Sequence, residues 1–152
     1  MIKEITDKRL RMHIAELVLL DLPDWFGIEE NTKKYIENSS KYPMFAAYDG
    51  QTVAGFISLR ETSKYTVEIH CMGVLKAYHH KGYGKRLIEA AKSYAIKNQY
   101  KYMQVKTVKE GTYDDYDQTV AFYKSVGFLE FEVLETLWDE ANPCQIFVLS
   151  LS

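Results

Sequence analysis

Apolar residues recur along the chain with two periods, and the switches between them mark the elements. "MIKEIT" (1–6) begins as a short strand. Asp7 then precedes a helical pattern in which Leu10, Ile14, Leu17 and Val18 share one face. Pro23 and Gly27 in "DLPDWFG" (21–27) break that run, and a second helix is expected from about Glu29 to Asn38. "PMFAAYDGQTVAGFISLR" (43–60) places two strand-like runs around Asp49-Gly50, a dipeptide suited to a tight turn with positive φ, and so predicts a β-hairpin. "YTVEIHCMGVL" (65–75) reads as a third strand, apolar enough for the middle of a sheet. A helical run covers "KRLIEAAKSYAI" (85–96), followed by a strand at "YKYMQVKTV" (100–108) and a polar loop at "KEGTYDDYD" (109–117). A short helix in "QTVAFYKSV" (118–126) is stopped by Gly127, where a left-handed cap fits. Two further strands fall around 128–138 and 144–151. The order βααβββαβαββ predicts a mixed α/β (α+β) fold: helices flanking a mostly antiparallel central sheet.

Composition narrows the class. With 152 residues and no repeat or Pro/Gly/Ser linker, the chain reads as one domain, 1–152. A formal net charge of −2 argues against an overall electrostatic grip on nucleic acid. Cys71 and Cys144 sit in strand-like contexts as small buried hydrophobes, and no Cys/His spacing suggests a metal site. No apolar run approaches the ~18 residues of a membrane span, and the first residues lack the apolar core of a signal peptide, so a cytoplasmic setting is expected.

The candidate chemistry begins at "YHHKGYGKRLIEAAKSYAI" (78–96), where Gly82 and Gly84 stand between a strand and a helix. They fit a plain turn, and they also fit an anion cradle. The first N–H groups of a helix have no intrahelical partner, and glycines let phosphate oxygens approach them. Lys81, Lys85 and Arg86 add positive charge around the pair. A dinucleotide fingerprint fails, because Leu87 stands where its third glycine belongs. No P-loop pattern occurs either.

The chain resembles the GCN5-related N-acetyltransferase (GNAT) superfamily. That family's signature, [QR]-x-x-G-x-[GA] after a central strand, corresponds to "HHKGYG", residues His79, His80, Lys81, Gly82, Tyr83 and Gly84. Its second landmark, F/Y-Y-x-x-x-G-F, is similar to "FYKSVGF" (122–128). The βααβββαβαββ order fits the same architecture. Two positions depart: His79 replaces the usual Gln or Arg, and Tyr116 stands where an Asn is frequent.

The resemblance implies acetyl-CoA as co-substrate, with no metal. Its pyrophosphate would lie on residues 79 to 85, and its pantetheine arm along the main chain of Met72 and Val74, where the strand splays from its neighbour. Gly73 between them is compatible with a bulge. Tyr116 would sit near the cofactor. Acetyl transfer to an amine also needs removal of the ammonium proton and protonation of the leaving thiolate. The resemblance implies Tyr123 as the acid, although a tyrosine there also suits a core. For the base, Glu68 in an apolar strand is the first candidate, on one alternation face with His70, Met72 and Val74. Burial would raise its pKa, and a solvated strand end is the opposing reading. His70 or an ordered water are the other candidates.

For the acceptor, the resemblance implicates the segment between the first two helices. Trp25 and Phe26 lie there among Asp21, Asp24, Glu29 and Glu30, which would suit a small cationic amine. They serve equally to staple the second helix to the core. A protein acetyltransferase and a non-turnover coenzyme A sensor remain as other functions on this fold. No nucleic-acid or membrane partner is expected, and a monomer or homodimer fits equally.

Overall fold

The computed structural model describes residues 1–23 and 29–151. Its elements are β1 (Ile2–Ile5), α1 (Lys8–Leu20), α2 (Glu29–Ser39), β2 (Met44–Asp49), β3 (Thr52–Ser63), β4 (Thr66–Val74), α3 (Tyr83–Lys97), β5 (Tyr102–Val108), α4 (Asp114–Ser125), β6 (Leu129–Asp139) and β7 (Asn142–Ser150). A single 3-10 turn, Lys76–Tyr78, separates β4 from α3. This is the order expected from the sequence. The strands pair as β1-β2-β3-β4-β5-β7-β6. β4 and β5 run parallel, whereas β1–β2, β2–β3, β5–β7 and β6–β7 are antiparallel.

The chain forms two compact units, Met1–Arg60 with Ile69–Tyr94, and Glu61–Glu68 with Ala95–Ser152. In the first, Asp7 caps α1 by accepting from the Leu10 N–H at 2.8 Å. The buried face of α1 is Ile14, Ala15, Val18 and Leu19, while Leu10 and Leu17 are exposed. The stripe therefore sits about one residue round from the expected one, because Ala15 is the small residue that fits against the sheet. These side chains join Ile5, Met44, Ala46, Phe56 and Cys71 in one core cluster, with Tyr35 and Ile36 of α2 packed against it. Asp49 pairs with Thr52, so the β2–β3 turn is the two residues Gly50 and Gln51, one residue later than the Asp49-Gly50 dipeptide, with Gly50 at φ +62° supplying the positive φ as the first turn residue.

Two glycines set the spacing inside this unit. A Cβ on Gly55 would lie 2.6 Å from the Gly73 carbonyl oxygen, and one on Gly73 would lie 2.9 Å from Val18 Cγ1 and 3.0 Å from Leu22 Cδ1. Gly73 thus lets α1 approach β4 closely, against the side-chain ends of Val18 and Leu22.

In the second unit, α4 packs on β5, and Met103, Val105, Val108, Cys144 and Phe147 are buried. The polar loop expected over 109–117 ends at Tyr113, because Asp114, Asp115 and Asp117 form the first turn of α4. Acidic side chains are favourable there, where the helix dipole is positive. Asp117 also accepts from the Gly111 N–H at 2.7 Å and fixes the turn that leads in. Gly127 ends α4 at φ +105°, the left-handed stop expected of it.

Candidate active site

The glycine pair opens α3 as predicted. Gly82 has φ +85°, and its carbonyl accepts the first helical hydrogen bond, from the Arg86 N–H at 3.2 Å. That leaves the N–H groups of Gly82, Tyr83, Gly84 and Lys85 as the helix's open donors. The first turn carries no acidic side chain. His80, one of two non-glycine residues with positive φ among the described residues, holds φ +61° two positions earlier. The loop is therefore wound tightly by two left-handed residues. Lys81 and Lys85 are exposed beside it.

Aromatic rings brace the same loop. Tyr78 and Tyr83 meet edge to face at 5.4 Å, with the Lys81 ammonium 5.7 Å over Tyr78 and the Arg86 guanidinium 4.4 Å over Tyr83. The Tyr78 phenol donates to Asp49 at the end of β2; desolvation and this carboxylate raise its pKa. Arg86 makes contacts that the sequence did not specify. Its Nη2 donates to the Lys81 carbonyl at 3.1 Å and its Nε to the Gly82 carbonyl at 3.3 Å, so it grips the loop's own backbone. His79 is likewise turned inward, with Nε2 2.7 Å from the Val74 carbonyl oxygen. Since that carbonyl only accepts, Nε2 carries the proton.

β4 departs from strict alternation. Ser58 pairs with Met44 and so faces the α1 core cluster, and its Oγ lies 3.2 Å from His70 Nδ1. His70 also meets the rings of Tyr35 and Tyr42 at 5.3 and 4.7 Å. Yet Cys71 belongs to the same cluster, and Gly73 faces Val18 and Leu22. Two successive side chains, His70 and Cys71, thus turn to one side. The expected single face of His70, Met72 and Val74 is thereby broken: the irregularity lies at 70–71, ahead of Gly73. Met72 and Val74 are half-buried beyond it.

In the second unit, Glu68 is buried at 7% exposure, which decides against the solvated strand end. Its Oε2 accepts from Gln104 Nε2 at 3.0 Å and from Lys106 Nζ at 3.3 Å. Neither partner was singled out in the sequence, although alternating polar residues in the apolar strand 100–108 were the available signal. Cys144, paired with Val108 two residues along the ladder from Lys106, has its thiol pKa raised by burial, an effect the nearby Lys106 charge opposes. Burial raises Cys71 further, to about 12.

Tyr123 is buried on α4, its ring 5.5 Å from both Phe122 and Phe128. Tyr116 is half-buried against Tyr113 at 6.1 Å, and its phenol pKa is raised by burial, then by Tyr113 and Asp115. Trp25 and Phe26, the expected acceptor contacts, lie outside the described residues. Among the described residues no cluster of three or more His, Cys, Asp or Glu side chains is placed to hold a metal ion, and no helix is long and apolar enough to cross a membrane.

The profile of the Acetyltransferase (GNAT) family matches residues 12–128. The chain belongs to that family. No curated protein sequence matches it. Solved structures share the fold over most of its length. A GNAT-family protein from Desulfovibrio desulfuricans superposes with a TM-score of 0.85 at 15% identity, over 100% of this chain and 99% of its own. An aminoglycoside 6'-N-acetyltransferase complexed with coenzyme A gives 0.75 at 17% identity, over 100% and 97%. A GNAT family acetyltransferase from Elizabethkingia anophelis with acetyl-CoA bound gives 0.68 at 16%, over 85% and 87%.

Proposed function

We propose that the chain is an N-acetyltransferase that moves the acetyl group of acetyl-CoA to the primary amine of a small cationic molecule, by direct attack in a ternary complex. The observation that carries this reading is the helix opening at Gly82, with four open N–H donors, no acidic side chain in the first turn and two exposed lysines beside it. Such an opening suits a pyrophosphate.

The amine nitrogen attacks the thioester carbonyl carbon, and the C–S bond breaks as the tetrahedral intermediate collapses. Glu68 takes the ammonium proton, directly or through water; its two donors hold the carboxylate in one orientation. Tyr123 gives its phenolic proton to the departing thiolate, and the proton still carried by the attacking nitrogen passes through water to the phenolate, which restores both groups. A main-chain N–H of β4 near Met72 or Val74 polarises the thioester oxygen. Support for a small cationic acceptor comes from the aminoglycoside enzyme of the same fold and from the carboxylates around 21–30.

Calorimetric titration with acetyl-CoA, followed by thiol release over a panel of amines, tests the reading. Binding with turnover on one cationic amine class is the expected result. Absence of binding by the folded protein would overturn it. Turnover only on peptide amines would replace the small acceptor by a protein one.

A further inference from the structure

We infer that Arg86 is a positioning residue, whose guanidinium holds the Lys81 and Gly82 carbonyls and thereby aims the next two backbone N–H groups at the cofactor's pyrophosphate. The inference rests on the coenzyme A reading above and assigns Arg86 a role that needs no contact with the ligand.

The argument is geometric. A trans peptide unit holds its C=O and N–H antiparallel in one plane. The Lys81 carbonyl accepts from Arg86 Nη2 at 3.1 Å, so the Gly82 N–H of that same unit points away from Arg86. The Gly82 carbonyl accepts from Arg86 Nε at 3.3 Å and from the Arg86 N–H at 3.2 Å, so the Tyr83 N–H also points away. Both peptide units flank the φ of +85° at Gly82, a residue that can rotate easily and needs an external hold. The Arg86 fork supplies one. Its plane is in turn held 4.4 Å over the Tyr83 ring, which leans edge to face on Tyr78, whose phenol is tied to Asp49. With its Nε and Nη2 spent on carbonyls, Arg86 acts on orientation, and Lys81 and Lys85 remain for the charge.

Three full-length variants separate orientation from charge. Arg86→Met removes donors and charge. Arg86→Gln removes the charge but keeps an amide nitrogen at the level of Nε, within reach of the Gly82 carbonyl. Tyr83→Leu leaves every charge and removes the platform. The expected result is a rise in Kd for coenzyme A on the order of 3- to 10-fold in Arg86→Met and Tyr83→Leu, with Arg86→Gln nearer to wild type. KM for acetyl-CoA should follow Kd, while kcat at saturation holds. The loss should be equal at about 0.05 M and about 0.5 M salt, and equal for dephospho-coenzyme A. Equal losses in Arg86→Gln and Arg86→Met that shrink at high salt would overturn the inference in favour of a through-space charge. A loss seen with coenzyme A and not with its dephospho form would overturn it in favour of direct contact with the 3'-phosphate. Failure of the wild-type protein to bind coenzyme A would instead remove the functional reading itself.

Discussion

The Glu68 carboxylate and the Lys106 ammonium lie 3.3 Å apart across the parallel strands β4 and β5, with Glu68 the more deeply buried partner. Charge, burial and the Gln104 amide make this a polar network, and a network is read by a cycle of variants. Lys106→Met should cost about 1–2 kcal/mol by chemical denaturation, less than a fully buried pair because Lys106 keeps 26% exposure. Glu68→Gln with Lys106→Met should recover part of that, with a coupling of about 1 kcal/mol. A coupling near zero would reduce the pair to a crossing of side chains. Glu68→Gln alone should lower kcat about 10²- to 10⁴-fold if the carboxylate is the base. An unchanged kcat would pass that role to His70 or to water.

Tyr123→Phe keeps the ring that packs on Phe122 and Phe128 and removes only the phenol. The expected outcome is a fall in kcat of about 10²-fold or more, with a Kd for acetyl-CoA close to wild type. Equal kcat values in the two proteins would return Tyr123 to the core.

Gly82→Ala isolates the backbone. A Cβ there would meet only Arg86 Nη2, at 3.9 Å, so space is available and the cost is the left-handed φ. That strain is about 1–2 kcal/mol, a fall in Tm of roughly 2–8 °C for a chain of this size. Because relaxing φ would turn the N–H groups, KM for acetyl-CoA should rise as well. An unchanged KM would count against the cradle.

Gly55→Ala and Gly73→Ala should differ in a definite order. At Gly73 the new methyl presses on the ends of Val18 and Leu22, which can yield, so about 1–3 kcal/mol is expected. At Gly55 it meets the Gly73 carbonyl at 2.6 Å, where only backbone movement gives relief. Denaturation midpoints should place Gly55→Ala below Gly73→Ala; the reverse order would mean that β3 shifts more easily than α1.

The thiols give a pH prediction. Cys71 is buried and its pKa is pushed to about 12, so the folded state keeps a proton that the unfolded state releases nearer the ordinary thiol range. Between those two values the unfolded chain binds fewer protons, and stability should fall with rising pH by about 1.4 kcal/mol per unit from this group. Below the ordinary range the contribution is fully present. At mildly alkaline pH, an alkylating reagent should label Cys71 and Cys144 only after denaturant is added. Rapid labelling of the native protein would show that the strands open.

Periodicity made the element order legible, and punctuation such as Asp7, Asp49-Gly50 and Gly127 set several ends. One local error, and one role that stayed hidden, share a cause: the sequence states what a residue prefers and leaves open what it meets. Asp114 to Asp117 look like loop residues in isolation, and the helix dipole makes them good first-turn residues. Arg86 supports the cradle by its charge in the sequence reading, and its reach also brings it to two carbonyls. In the site, Gly82 and Gly84 were readable because bare backbone leaves a letter in the sequence. Ser58, Gln104 and Lys106 were not, since their contacts join residues 12 to 38 positions apart.

The break at His70 and Cys71 gives β4 a grammar of two clauses. Up to His70 the strand follows one reading frame of sides, and from Cys71 it follows the other. Deleting His70 or Cys71 would restore perfect alternation and leave every later residue on its present side, whereas a deletion elsewhere in the strand would exchange the tenants of both surfaces beyond it. Point substitutions are therefore a mild kind of change here, and length changes away from the break a severe one. An engineer could rewrite the first clause letter by letter while leaving the count untouched.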